Sequence, residues 1–344
     1  MKGRWKILFL LVFLIPLVAT VKVHAIENSE CLECHGDVVD EERFKASVHG
    51  MNEIACTDCH AGVEKLNYEE DVPHPTPLKV DCSQCHEDEA DSFQEGVHAD
   101  LGDDGPKCQT CHNPHYTKYT ASKLSFERNR ETCLKCHDPE EGHEFLPAKK
   151  LHFETVGCSA CHSKAGGMVR LIPYNILKEK PVSGEELAKA LGVDPDALLE
   201  RYDANHSGKL ETGEIEKLIK DAEAKGIRFS LKGEIVSQAD PSLHQIESEG
   251  ISQCLKCHSE KAKIFDHVVL SLSKSDGSTA DIPVDKKFLM SIYPIRFYMI
   301  DATRITILDI IGALIVLGGV AFAGGHCTIR ILTIPLRRKK KEEQ

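Results

Sequence analysis

Seven short cysteine motifs constrain this chain of 344 residues more than any other feature. Fourteen of its 15 cysteines fall into C-x-x-C pairs: Cys31/Cys34, Cys56/Cys59, Cys82/Cys85, Cys108/Cys111, Cys133/Cys136, Cys158/Cys161 and Cys254/Cys257. Every pair is followed at once by histidine, at His35, His60, His86, His112, His137, His162 and His258. With only 18 histidines in the chain, seven successes in seven trials are not chance. Zinc sites, redox pairs and disulfides also use C-x-x-C, but none of them explains the histidine that always follows. C-x-x-C-H is the attachment sequence of c-type haem. Both thiols bond the porphyrin, and the imidazole binds its iron from one face.

The first six motifs begin at 31, 56, 82, 108, 133 and 158, an internal repeat of 25 or 26 residues. A unit that short cannot bury a core of its own. Aromatic residues make up only 6% of the chain, and the one tryptophan, Trp5, lies in the N-terminal leader. Bound porphyrin supplies the missing apolar mass. Residues 26–165 are therefore expected to form a hexahaem array, with short helices at the motifs, loops elsewhere and little sheet. The fold class expected for the whole is a multihaem cytochrome c: mostly short helices and loops around stacked haems, a small α+β insertion and one C-terminal transmembrane helix.

The second axial ligand sets the redox range, since two histidines give lower potentials than histidine with methionine. Setting aside the seven motif histidines, His24 in the leader, His206 in a polar loop and His326 in the apolar C-terminal segment leaves eight candidates. These are His49, His74, His98, His115, His143, His152, His244 and His267. Seven haems need seven, so bis-histidine ligation can be complete with one to spare. His49, His98, His152 and His244 each stand shortly before a motif, in contexts such as SVHGMNEIACTDCH and KLHFETVGCSACH. His115 sits in CHNPH. Between His143 and His267 the sequence does not choose the spare. Met51 and Met168 are the only sulfur alternatives in the haem region.

Residues 166–250 read as a linker, opening with a Gly/Pro-punctuated connection at 166–183. Helices are expected at 185–202 and 214–225, and a strand at 227–236. Between the helices, residues 203–214 follow the twelve-residue calcium loop of an EF-hand. Asp203, Asn205 and Ser207 would bind through side chains, Lys209 through its carbonyl, then Glu211 and Glu214, with Gly208 at the turn. An ordinary polar helix–loop–helix is the plainer alternative. Residues 251–300 hold the seventh motif and a hairpin pairing 268–273 with 280–284.

The two ends agree on a compartment. Residues 1–25 have the basic start, apolar run and small-residue end of a signal peptide. Residues 301–326 hold an apolar run long enough to span a bilayer, and the basic tail at 327–344 carries Arg330, Arg337, Arg338, Lys339, Lys340 and Lys341. By the positive-inside rule the tail is cytoplasmic, so the haem region is expected in the periplasm of a bacterium, anchored in the inner membrane. Asp309, Gly312, Gly319, Ala323 and His326 share one face of the helix, which suits either a plain anchor or docking to a membrane subunit. The net charge of −12 argues against nucleic acid and fits weak docking to redox partners.

The motif string with its upstream histidines and CQTCHNPH resembles the low-potential multihaem cytochromes c of respiratory chains. The single C-terminal anchor is similar to that of the c-type subunit of membrane bc complexes. That resemblance implies seven mostly six-coordinate haems, and a b-type or other quinol-reactive membrane subunit as one partner. Periplasmic cytochromes or reductases would be the others, in anaerobic respiration. The enzyme alternative is a multihaem reductase of nitrite, hydroxylamine or a sulfur oxyanion, which would require one open iron. A surplus of histidines favours electron transfer over catalysis.

Overall fold

Two regimes of packing divide the chain. The computed structural model describes residues 28–60, 80–118, 123–175, 177–274, 276–291, 295–300, 302, 303 and 305–335. The leader at 1–25, His74 and the basic cluster at 337–341 lie outside them. Among the described residues, no apolar side chain before Ala160 is buried; Ser47, Ser125 and Asn129 are the buried ones. The backbone there forms helices of four to eight residues, among them Asn28–His35, Val48–Met51, Glu87–Gln94, Ser125–Glu131 and Lys149–Thr155. Helices so short do not persist in water unaided, so local caps and outside contacts hold them. Ser47 caps Val48–Met51 by accepting a hydrogen bond from the Gly50 amide at 3.1 Å.

Beyond Ala160 the chain has a conventional core. Strands β1 (Gly167–Asn175), β2 (Lys180–Pro181), β3 (Ser230–Ser237), β4 (Val268–Ser273), β5 (Thr279–Pro283) and β6 (Ile295–Arg296) form one mixed sheet. Its order is β5–β4–β1–β3–β6, with β2 returning onto β1. β1 runs antiparallel to β3, from Gly167 opposite Ser237 to Tyr174 opposite Ser230, and parallel to β4. Helices Gly184–Leu191, Leu198–Tyr202 and Thr212–Ala224 bring Leu187, Leu198, Ile215 and Leu218 into the core with Val169, Leu171, Leu231 and Leu270.

Two expectations change. Residues 167–175, read as connection, form the strand at the centre of the sheet. Val169, Arg170, Leu171 and Ile172 are buried in succession, so the strand is covered on both faces and lacks the alternation that marks a half-exposed one. The helix expected over 185–202 is broken. Gly192 takes φ 67° and closes the first helix, and Pro195 opens a new turn before the second.

A buried ion pair fastens this sheet to the haem region. Glu234 on β3 is fully buried and accepts from Arg170 Nε of β1 at 2.7 Å. Its other oxygen accepts from the Ser125 amide at 2.8 Å, at the start of the helix leading into the fifth motif. Arg128 of that helix approaches the same carboxylate at 3.7 Å. Burial, opposed only in part by Glu234, lowers Arg128 to about 10. The Ile235 carbonyl then receives the Gly157 amide at 2.9 Å, just before the sixth motif.

The C-terminal helix, Thr306–Leu332, has 27 residues, about 40 Å, and is apolar enough to cross a membrane. It runs six residues past the expected end at 326. None of its apolar surface is buried against the rest of the chain.

Replacing Glu234 by alanine should lower the unfolding free energy by about 3–5 kcal/mol, because Arg170 is left charged and buried. Denaturant unfolding followed by far-ultraviolet circular dichroism reads this; a loss below about 1 kcal/mol, the range of an exposed pair, would contradict the clamp.

Candidate functional site

Six of the seven motifs fold as a single turn. The turn is α-helical at Cys56–Cys59, Cys108–Cys111 and Cys158–His162, and 3-10 at Cys82–Gln84, Cys133–Lys135 and Cys254–Lys256. The first motif instead closes the longer helix Asn28–His35. The histidine amide returns to the carbonyl of the first cysteine, at 2.9 Å for His60 and His112 and 2.7 Å for His258. That bond sets both sulfurs and the imidazole on one local frame.

None of the motif cysteines forms a disulfide, and they differ in cover. At three motifs the second cysteine, Cys85, Cys136 or Cys257, falls just past its 3-10 turn. Cys34 lies inside its helix but is exposed. Cys136 is exposed too, and it falls just past its 3-10 turn, at φ −126°. Cys59, Cys85, Cys108, Cys111 and Cys254 are also exposed, whereas Cys31, Cys56, Cys82, Cys133, Cys158, Cys161 and Cys257 are half-buried. The physical reason is shared: a sulfur that bonds a vinyl group must point away from its own backbone, toward the space the porphyrin takes. The chain therefore cannot cover Cys34 or Cys136 with its own side chains.

The structure then brings histidines together in pairs, with interplanar angles from 26° to 74°. Ring centres stand 6.3 Å apart for His49 and His86, and for His60 and His115. They are 6.1 Å apart for His98 and His137, for His112 and His244, and for His152 and His258. His143 and His162 are 5.9 Å apart. An imidazole centre lies roughly 3 Å beyond a bound metal, so two rings on opposite faces of one iron stand roughly 6 Å apart. Six pairs meet that dimension, each joining one motif histidine to one of the eight candidates. The residues fit the group.

The proton positions fit as well. The Nδ1 atoms of His49, His143, His152, His162, His244 and His258 each face a backbone carbonyl, those of Pro114, Glu141, Ala148, Glu247, Pro241 and Ile300, at 2.9–3.3 Å. A carbonyl only accepts, so Nδ1 carries the hydrogen and Nε2 keeps its lone pair for a metal. Burial first, and then the facing ring, lower the pKa of His98, His112 and His115. Each is held neutral, as a ligand must be.

Except for His143, which pairs with the motif that follows it, the pairing is not local. His49 lies seven residues before Cys56, yet faces the histidine of the third motif. His98 and His152 likewise skip the motif that follows them, and His115 reaches back to the second. A ligand for the opposite face must come around the porphyrin edge, a detour that a short turned segment does not span. His244 comes from the α+β insertion to His112.

His267 is not so placed. Among the described residues it faces no other imidazole; it is exposed, and its carbonyl receives the Val169 amide at 2.9 Å. Its side chain lines a cleft of about 720 Å³ with Met168, Lys209 and Lys286. Met51 stands exposed on its short helix. Sequence reasoning also missed two asparagines: Asn28 Oδ1 accepts from the Cys56 amide at 2.7 Å, and Asn129 Oδ1 from the Cys158 amide at 3.2 Å. Each lies just before one motif and caps the helix of another, a relation that no local pattern signals.

In the 203–214 loop, Asp203 accepts from the Ser207 and Gly208 amides at 2.9 and 2.8 Å. Glu214 accepts from Ala204 at 2.8 Å and from Glu211 at 2.9 Å, which draws the loop ends together. Asn205 accepts from the Ser207 amide, and the Lys209 carbonyl from the Ser207 hydroxyl. Among the described residues, no group of three or more His, Cys, Asp or Glu side chains forms a metal cluster.

Residues 98–142 match the family model described as the doubled CXXCH motif, a span that holds the fourth and fifth motifs. No curated protein and no solved structure matches the chain. The doubled motif indicates binding of c-type haem and supports a multihaem cytochrome involved in electron transfer.

Replacing His152 by alanine should produce one high-spin iron per chain in the ferric electron paramagnetic resonance spectrum. The His267→Ala change should leave the spectrum low-spin throughout; a high-spin signal from it instead would reverse the two assignments.

Proposed function

We propose that this chain is a seven-haem electron conduit, held at the bacterial inner membrane with its haems in the periplasm. It carries electrons between a b-type or other quinol-reactive membrane subunit and periplasmic cytochromes or reductases. The observation that carries the reading is the facing of six imidazole pairs at the spacing of a doubly ligated iron. Elimination supplies the seventh: with His267 elsewhere, His74 is the candidate that remains for His35.

An iron held between two imidazoles exchanges one electron without exchanging a ligand. The chain's own residues do the rest. Paired cysteines fix each porphyrin edge covalently, so about 25 residues suffice for each group. The carbonyls on Nδ1 orient the rings, and burial keeps His98, His112 and His115 neutral. With both faces occupied, no position is left for a substrate oxygen or nitrogen. Transfer is favoured over reduction of nitrite, hydroxylamine or a sulfur oxyanion. The apolar Thr306–Leu332 helix supports the single-pass anchor.

Calcium in the 203–214 loop is a second element of this proposal, supported by its ligand order and by the flanking helices Leu198–Tyr202 and Thr212–Ala224. Leu210, at the eighth position, is fully buried and bridges to Val284 at the end of β5. An ion there would brace the insertion against the sheet.

The full chain purified in mild detergent should carry seven covalent haems by pyridine haemochromogen assay, all low-spin, and should retain a multi-span haem b subunit. A high-spin iron with turnover of nitrite, hydroxylamine or sulfite would overturn the reading. For the loop, calorimetric titration should show one calcium per chain, lost in Glu214→Gln; titration heats identical in the two proteins would remove calcium from the account.

A further inference from the structure

Two contacts join neighbouring attachment sites. Asn28, on the helix of the first motif, accepts from the Cys56 amide at 2.7 Å, which sets the first motif beside the second. Asn129, on the helix leading into the fifth motif, accepts from the Cys158 amide at 3.2 Å, which sets the fifth beside the sixth.

A third contact crosses the long insertion. The Ile251 amide donates to the Cys161 carbonyl at 3.1 Å. Although 96 positions separate Cys158 from Cys254, the seventh motif lies against the sixth.

The seventh motif is tied to the membrane helix. His258 Nδ1 donates to the Ile300 carbonyl at 3.0 Å. On either side of Ile300 the chain is clamped: Met299, Ala302 and Thr303 are buried, and the Met299 amide donates to Thr303 Oγ1 at 2.9 Å. From Thr303 to the first residue of the apolar helix, Thr306, three residues span at most about 11 Å. Tyr298 and Ile300, which flank this stalk, are 75% and 62% exposed, apolar surface suited to a bilayer interface.

We infer that the seventh site, Cys254/Cys257/His258, is the membrane-side port of the array, resting on the lipid surface through Tyr298 and Ile300. This rests on the proposed haem loading. It adds a direction in space: electrons exchanged with the membrane pass at the last motif.

The full chain is placed in nanodiscs containing lipids with a nitroxide on the headgroup, after haem stoichiometry is measured. Low-spin ferric iron shortens nitroxide relaxation steeply with proximity. Cys254→Ser/Cys257→Ser should lose most of the relaxation enhancement, whereas Cys31→Ser/Cys34→Ser should keep it. A chain short of haem in the stoichiometry assay defeats the functional proposal. A full complement with equal or reversed losses overturns the port. If neither variant assembles, a cryo-electron-microscopy map of the unsubstituted chain in the same disc decides. The iron on His258 nearest the lipid supports the assignment; any other iron nearest defeats it.

Discussion

The fixed reach of a metal–imidazole bond is the dimension around which the N-terminal half is organised. Two rings on one iron must stand roughly 6 Å apart, and six pairs do so here at 5.9–6.3 Å. The surrounding polypeptide is arranged to serve that spacing rather than to bury its own side chains. No described apolar side chain before Ala160 is buried, and on the proposed loading the porphyrins would supply the apolar contact there. An ordinary domain orders its backbone by burying apolar area. In this region the cofactor takes over that role.

Because most of the paired histidines come from distant segments, the region is laced together. His49, His98 and His152 each pass over the nearest motif to face a later one, while His115 and His244 reach earlier ones. Asparagine caps repeat the scheme on the backbone, with Asn28 and Asn129 each joining two motifs. Loss of any one unit would therefore disturb its neighbours.

The α+β insertion gives the array a rigid end. Its buried Glu234–Arg170 pair holds the segment before the fifth motif, and the Ile235 carbonyl holds the segment before the sixth. His244 leaves the same insertion to face the fourth. A sheet with a close-packed core transmits position well.

Much of the chemistry was legible in the residues alone. A C-x-x-C-H motif is local: five consecutive residues provide both sulfurs and one ligand, so no fold is needed to read it. The exposure of Cys34 and Cys136 was not legible, because a motif names its sulfurs without saying how the chain around them is covered. The inventory of second ligands was countable, as was the apolar C-terminal run, because length and composition suffice. The hairpin at 268–284 could be read because alternation and a turn lie within one short stretch. Which imidazole faces which motif could not be read, because the partners are far apart in the chain and only packing brings them together. The same holds for His267, which composition could not separate from His143. It holds for β1, whose doubly buried run carries no periodicity, and for the placing of the seventh motif against the sixth. Composition and motif named the candidate histidines; the tertiary structure alone decided their partners, since five of the six pairs join segments that are not neighbours in sequence.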